Sequence, residues 1–156
     1  MYVRQGDLSR GKISRLIQLR PEGPHPVTGL GYTITSRAIV LFVTTTDTVC
    51  AYHFRADNDV MEIVLDEHMG GALGCASLSG DGQSMIVARD AGVWEYRPDL
   101  NAGCQGFGGH KTLVACFRSY VAIASSESAE DRQQTLNLYD PSNKVRTRSQ
   151  LWLLFS

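Results

Sequence analysis

The chain has 156 residues, of which 43% are hydrophobic and 20% charged, and its formal net charge is -1. Length and composition are those of an ordinary globular domain. The near-neutral charge argues against a general nucleic-acid surface, because phosphate binding needs an excess of Lys and Arg. No apolar run approaches the roughly 18 residues that cross a bilayer, and polar sequence, with no secretory signal, follows Met1.

The predicted elements are short strands, rich in Val, Ile, Leu and Thr and separated by turn residues. In chain order they begin with residues 2–7 and 12–19 and continue with 41–44, 85–88 and 121–124. Glycines punctuate the chain too often for long helices, and no helical apolar period is sustained. The sequence therefore predicts an all-β protein with very little helix.

A repeat of about 43 residues organises these strands. The tyrosines that end three strand-like segments are Tyr52, Tyr96 and Tyr139. They lie 44 and then 43 residues apart. The histidines upstream of them are His25, His68 and His110, spaced 43 and 42 residues apart. Two matched series indicate a true internal repeat.

The strands keep the same phase within the repeat. Those at 41–44 and 85–88 each begin 11 residues before the repeat tyrosine, whereas the strand at 121–124 begins 18 residues before Tyr139. The seven extra residues predict a longer hairpin loop over 125–132, which is polar and charged. The sequence Ser-Gly-Asp-Gly at 79–82 predicts a tight hairpin turn, since Gly tolerates the positive φ that such turns require.

A period of roughly 40–45 residues with about four strands in each unit is the signature of propeller blades. Such repeats carry a Gly-His pair in one turn and a Trp-Asp pair at the end of the third strand. Gly109-His110 followed by Tyr139-Asp140 is a degenerate copy of that pattern. We therefore predict an all-β, partial β-propeller of about three to three and a half WD40-like blades in an open ring.

The repeat also predicts the organisation of the chain. We expect the end of a preceding blade over 1–24, blades over 25–67, 68–109 and 110–144, and a divergent tail over 145–156. Propellers close their ring with roughly 4–8 blades, so three blades leave two unpaired sheet faces. The sequence therefore predicts a piece of a larger propeller, whose apolar end at 151–155 needs a partner surface.

No cofactor, metal or catalytic site is predicted. The cysteines Cys50, Cys75, Cys104 and Cys116 contain no C-x-x-C pair, which weighs against zinc and favours reduced, mostly buried thiols of a cytosolic protein. Repeated once per blade, the histidines should occupy separate turns instead of converging on one point. We therefore predict structural roles for the repeat positions, with the tyrosines packed between blades. These positions are His25, His68, His110, Tyr52, Tyr96, Tyr139, Gly109 and Asp140.

Other candidate motifs do not carry chemistry. A phosphate-binding loop ending in Lys111-Thr112 would need glycine where Gln105 and His110 stand. No G-x-S-x-G nucleophile motif is present. Lys144, Arg146 and Arg148 alternate with smaller residues and predict one basic strand face, which protects a sheet edge and favours an acidic partner.

The strand sequences resemble one family in order and spacing, from about Gly6 to Lys144. The family is that of vacuolar protein sorting-associated protein 11, a core subunit of the HOPS and CORVET membrane-tethering complexes, and the similarity is to its N-terminal propeller. From Val145 onward the sequence departs from the family's pattern. The matching segments are 26–30, 41–45, 64–66 with His68, 86–88, 96–99, 109–111, 117–120, 136–140 and 143–144.

The resemblance implies a non-catalytic scaffold domain in vesicle-mediated transport from endosome to lysosome or vacuole and in membrane fusion. It implies the other class C vacuolar sorting subunits as partners and, through the assembled complex, Rab GTPases and SNAREs. The implied location is cytoplasmic and peripheral on late endosomal and lysosomal (vacuolar) membranes. In the family an α-solenoid and a RING zinc finger follow the propeller, and this sequence contains neither.

Two alternatives stand beside this reading. A generic propeller adaptor, such as a ubiquitin-ligase substrate receptor or a signalling scaffold, would share the repeat but not the ordered strand sequences. A propeller hydrolase or lyase would need titratable groups that converge on a central channel, which an open ring does not enclose.

Overall fold

The structure is a computed structural model that describes residues 2–7, 12–18, 25–34, 38–55, 61–98, 100–104, 108–127, 133–140 and 145–152. All regular elements in these ranges are β-strands. The strands are β1 (Tyr2–Asp7), β2 (Lys12–Gln18), β3 (Val27–Ile34), β4 (Ala38–Thr45), β5 (Val49–Arg55), β6 (Met61–Glu67), β7 (Ala76–Leu78), β8 (Met85–Arg89), β9 (Gly92–Arg97), β10 (Leu100–Cys104), β11 (His110–Phe117), β12 (Tyr120–Ser126), β13 (Gln133–Asp140) and β14 (Val145–Trp152).

The strands form four antiparallel sheets in chain order. β1 and β2 pair alone, and three four-stranded sheets follow. We call them sheet I (β3–β6), sheet II (β7–β10) and sheet III (β11–β14). Within each sheet every strand pairs with the next one along the chain, which is the meander of a propeller blade.

Sheets I to III pair their second and third strands in equivalent register. In each of them, the first residue of the segment predicted for the second strand lies directly opposite the repeat tyrosine on the third strand. The pairs are Leu41 with Tyr52, Met85 with Tyr96, and Val121 with Tyr139. The repeat period in the sequence therefore reflects equivalent positions in three equivalent sheets.

Consecutive sheets pack face to face through apolar side chains. β8 lies at the centre of this stack, and because side chains alternate along a strand, it supplies residues to both of its interfaces. The core between sheets I and II contains Val40, Phe42, Val49, Ala51, Met85, Val87 and Tyr96. The core between sheets II and III contains Cys75, Ile86, Ala88, Val93, Val114, Val121 and Ile123.

The first strands of the sheets run side by side. β3 contacts β7, and β7 and β8 contact β11. Glycine permits the close approach of β3 to β7, because a Cβ added at Gly29 would lie 2.5 Å from the Cβ of Ala76. These contacts make sheets I to III one continuous stack, and the described residues form a partial, open β-propeller, as the sequence predicts.

Two details differ from the expected boundaries. β12 continues through Ser125 and Ser126, which are buried, so the strand extends into the segment predicted as a loop. Residues 128–132 of that segment lie outside the described residues. The predicted divergent tail contains β14, which pairs with β13 along its whole length and completes sheet III. Residues 145–152 therefore form a regular strand of sheet III, and the prediction of a divergent tail is not reflected in the backbone.

Candidate protein-interaction surface

The repeat histidines lie beside or at the ends of strands, where one sheet leads to the next. The Nδ1 atom of His25, before β3, lies 2.7 Å from a carboxylate oxygen of Asp47. The Nδ1 atom of His110, at the start of β11, lies 3.3 Å from a carboxylate oxygen of Asp90. His68 directly follows β6 and is exposed. The part of the chain that the structure describes brings no three His, Cys, Asp or Glu residues together as a metal site.

The repeat tyrosines occupy apolar surroundings. Tyr96 belongs to the core between sheets I and II, and Tyr139 packs against the core between sheets II and III. Tyr52 lies on the other face of sheet I, in a cluster with Leu41, Val43 and Cys50. Burial, reinforced by the neighbouring Cys50, raises the pKa of the Tyr52 phenol far above its ordinary value. This hydroxyl is therefore neutral, and a packing role fits it.

The remaining repeat positions shape the start and end of strands. Gly109 has φ +96°, and an added Cβ would lie 2.9 Å from the Ser126 carbonyl oxygen. Asp140 is buried at the end of β13. Lys111 is also buried, within β11, and its Nζ donates to the Gly109 carbonyl at 2.6 Å. Lys111 is thus a strand residue, whereas a phosphate-binding lysine would follow a glycine loop at a helix start.

The connection between sheets I and II, residues 68–75, is fixed to both neighbouring sheets. The Gly71 N–H donates to the Thr45 carbonyl at 2.9 Å, in the turn between β4 and β5. On the other side, the Val114 N–H of β11 donates to the Gly74 carbonyl at 2.9 Å. A Cβ at Gly70 would overlap the backbone of the β4–β5 turn. The backbone of this connection is therefore held in one conformation.

Arg89 at the end of β8 holds the middle of the same connection. Its Nε donates to the Gly70 carbonyl at 2.6 Å, and its Nη2 donates to the Met69 carbonyl. The guanidinium lies 4.6 Å from the Trp94 ring centroid and 5.4 Å from that of Tyr96. Planar stacking together with a hydrogen-bonding fork is particular to arginine. The search for repeated His and Tyr positions missed Arg89, Asp47 and Asp90. The two aspartates are nevertheless 43 residues apart and could have been found from the same period.

A cleft of about 360 Å³ with a mixed apolar and charged lining opens between sheets II and III, at the end of the stack that carries the β7–β8 and β11–β12 turns. Asp81, Glu95, Arg97 and Arg118 line it. Arg97 forms an ion pair with Glu95 at 2.7 Å. The Ser79 hydroxyl and the Gln83 N–H donate to Asp81 and lower the pKa of its carboxyl. These charges compensate one another, so the cleft shows no preference for a ligand of one sign.

The three cysteines whose side chains are described are free thiols. Burial raises the pKa of Cys50, Cys75 and Cys116, in each case as the largest cause. A thiol is a weak nucleophile until it ionises, so these cysteines are unsuited to covalent catalysis at neutral pH. No helix in the described ranges is long and apolar enough to cross a membrane.

Comparisons with known proteins identify similar sequences over nearly the whole chain. Residues 1–150 match the family model described as PEP5/VPS11 N-terminal. The chain is 35% identical to a vacuolar protein sorting-associated protein 11 homolog of Mus musculus, over 91% of this chain and 16% of that protein. The corresponding homologs show 34% identity in Homo sapiens over 91% of the chain and 38% in Dictyostelium discoideum over 79%.

The chain spans only a small part of these relatives, 16% of the human protein and 13% of the Dictyostelium protein. The match nevertheless includes all three four-stranded sheets except the end of β14. Both the family model and the relatives point to the same family, and the chain therefore belongs to the PEP5/VPS11 family, matching its N-terminal region.

Proposed function

We propose that this chain is a non-catalytic interaction module of a membrane-tethering subunit that acts in vesicle transport and fusion between endosome and lysosome or vacuole. The observation that carries the proposal is the family match over residues 1–150. The relatives are named for vacuolar protein sorting. The rigid sheet stack supports the binding role, since its turns and connections present fixed surfaces.

The partners proposed for it are the other class C vacuolar sorting subunits and, through the assembled complex, Rab GTPases and SNAREs. The module would then reach late endosomal and lysosomal membranes from the cytoplasmic side as part of a peripheral complex. A generic WD40-like adaptor is the less favoured alternative. Such an adaptor would share the 43-residue repeat, whereas this chain matches one specific family over residues 1–150.

The absence of catalysis is part of the same proposal. The histidines of the repeat lie at separate strand ends, and each of His25 and His110 has an aspartate of a hairpin turn as its neighbour. The described cysteines have raised pKa values. The histidines and cysteines therefore suit structural roles. Binding is the activity that we propose for the surface.

A chimera tests the proposal. Residues 1–150 of this chain would replace the matching segment of the mouse relative, and the chimera would be compared with a protein that lacks the segment. We expect the chimera to co-precipitate the other sorting subunits and to co-localise with late endosomes, and the deletion to lose at least one partner. Equal recovery of all partners by the deletion protein would contradict a binding role for this part.

A further inference from the structure

We propose that the connection between sheets I and II, with the neighbouring start of β11, is a docking surface for a basic amphipathic segment of a partner protein. The surface consists of an apolar patch, Met69, Leu73 and Leu113, between two aspartates, Asp47 and Asp90. The inference rests on the binding role proposed above and assigns it a place and a partner chemistry.

The apolar patch is exposed although its backbone is fixed. Leu73 is 78% exposed, Met69 57% and Leu113 51%. Leu113 adjoins the connection, because a Cβ at Gly74 would lie 3.7 Å from its Cδ1 atom. Arg89 and two backbone hydrogen bonds fix the backbone that carries Met69 and Leu73. These exposed apolar side chains therefore do not belong to a mobile loop. A pre-organised apolar surface loses little conformational entropy when a partner covers it.

The charges at the solvent edge of the patch are acidic. Asp47 adjoins Gly70, and its side chain is 53% exposed. Asp90 follows Arg89 in sequence, and its side chain is 75% exposed. The two cations beside the connection are directed into the protein: Arg89 binds the carbonyls of Met69 and Gly70, and Lys111 is buried. Each carboxylate also has a histidine neighbour, His25 for Asp47 and His110 for Asp90, and still exposes more than half of its side chain. The surface therefore presents carboxylates to a partner, while Arg89 and Lys111 are held in internal hydrogen bonds.

This combination defines the partner. Exposed leucine and methionine side chains bind the apolar face of an amphipathic helix, and flanking carboxylates pair with its lysines or arginines. An anionic lipid surface or a nucleic acid would meet the same aspartates with like charge and would be repelled. A basic amphipathic protein segment fits both the apolar and the acidic parts of the surface.

The test uses the complete chain and a labelled synthetic helical peptide with leucines on one face and lysines on the other, followed by fluorescence anisotropy. We expect Leu73→Ser to weaken binding about tenfold, as loss of a central apolar contact does. Asp47→Asn should weaken it about threefold at low salt and reduce its salt dependence. Ile34→Ser is the matched apolar control, since Ile34 is 69% exposed at the far end of β3. Glu62→Gln is the matched acidic control, exposed at the start of β6.

Several results would overturn the assignment. They are equal binding by the wild type and Leu73→Ser, equal binding of a peptide with glutamates in place of lysines, and binding to vesicles of phosphatidylcholine and phosphatidylserine that exceeds peptide binding. The outcome of the chimera experiment is independent of the outcome of this one. If the chimera works but peptide binding does not depend on Leu73, the tethering role stands and the docking surface is wrong. If peptide binding depends on Leu73 but the chimera does not work, the docking surface stands and the tethering role is wrong.

Discussion

At the scale of single residues, the closest packing in the stack occurs between turns of neighbouring sheets. Gly80 lies in the β7–β8 turn and meets the backbone of Arg118 in the β11–β12 turn, where a Cβ would overlap it. Arg118 has φ +53°, which is uncommon for a residue other than glycine. The two turns therefore fit each other only because Gly80 has no side chain.

Gly80→Ala should destabilise the chain by about 2 kcal/mol, because the added methyl group forces two backbones apart. Gly108→Ala is the matched control, since nothing lies within 4 Å of a Cβ there. It should change the free energy of unfolding by less than about 0.5 kcal/mol. Chemical denaturation measures both, and equal stability of the two variants would contradict the contact between the turns.

The buried thiols predict how stability depends on pH. Burial raises the pKa of Cys75 above the ordinary value of 9.0, with Asp90 adding to the effect and Lys111 opposing it. Above pH 9.0 the unfolded chain releases this proton while the folded chain retains it. The stability should therefore be constant near neutral pH and fall as the pH rises past 9.0.

Cys75→Ala removes one of these protons. The fall in unfolding free energy at alkaline pH should become less steep in Cys75→Ala, although the variant is less stable at neutral pH because a buried group is lost. Thermal unfolding across the alkaline range measures the slope. An unchanged slope would show that Cys75 ionises equally in both states.

At the scale of elements, Arg89 joins β8 to the connection before β7. Lysine carries the same charge but has neither the planar fork nor the flat face that stacks on Trp94. Arg89→Lys should therefore cost about 1–3 kcal/mol and lower the hydrogen-exchange protection of the Gly71 amide. Arg55→Lys is the matched control, since Arg55 makes an exposed ion pair of 3.5 Å with Glu62. Unchanged protection of Gly71 in Arg89→Lys would contradict the role of the guanidinium.

The sequence predicted the strands well where the pattern is local. The tyrosine period located the third strand of each sheet, and the interval before it located the residue opposite. Contacts between residues of different sheets could not be predicted from the repeat. The approach of Gly80 to Arg118 and of Arg89 to Gly70 joins segments that only the stacking of sheets brings together. The exposure of Leu73 could not be predicted either, because the residues adjacent to it in sequence do not determine its burial.

At the scale of the whole molecule, two cores join three sheets into one stack. Met85, Val87 and Tyr96 face sheet I, whereas Ile86 and Ala88 face sheet III. Each fully buried large apolar side chain contributes about 1.5–3 kcal/mol, so sheet II is stabilised from both sides. Sheet III packs against a neighbour through one face, and Phe117 and Leu138 of this sheet are exposed at 69% and 41%.

We propose that this chain supplies the N-terminal interaction module of a sorting subunit. The most direct measurement places residues 1–150 into the Dictyostelium relative in cells that lack the native protein, and follows secretion of lysosomal enzymes. We expect the replacement to restore retention of these enzymes and deletion of the segment to leave them secreted. If the deletion restores sorting as fully as the replacement, the module has no part in the function proposed for it.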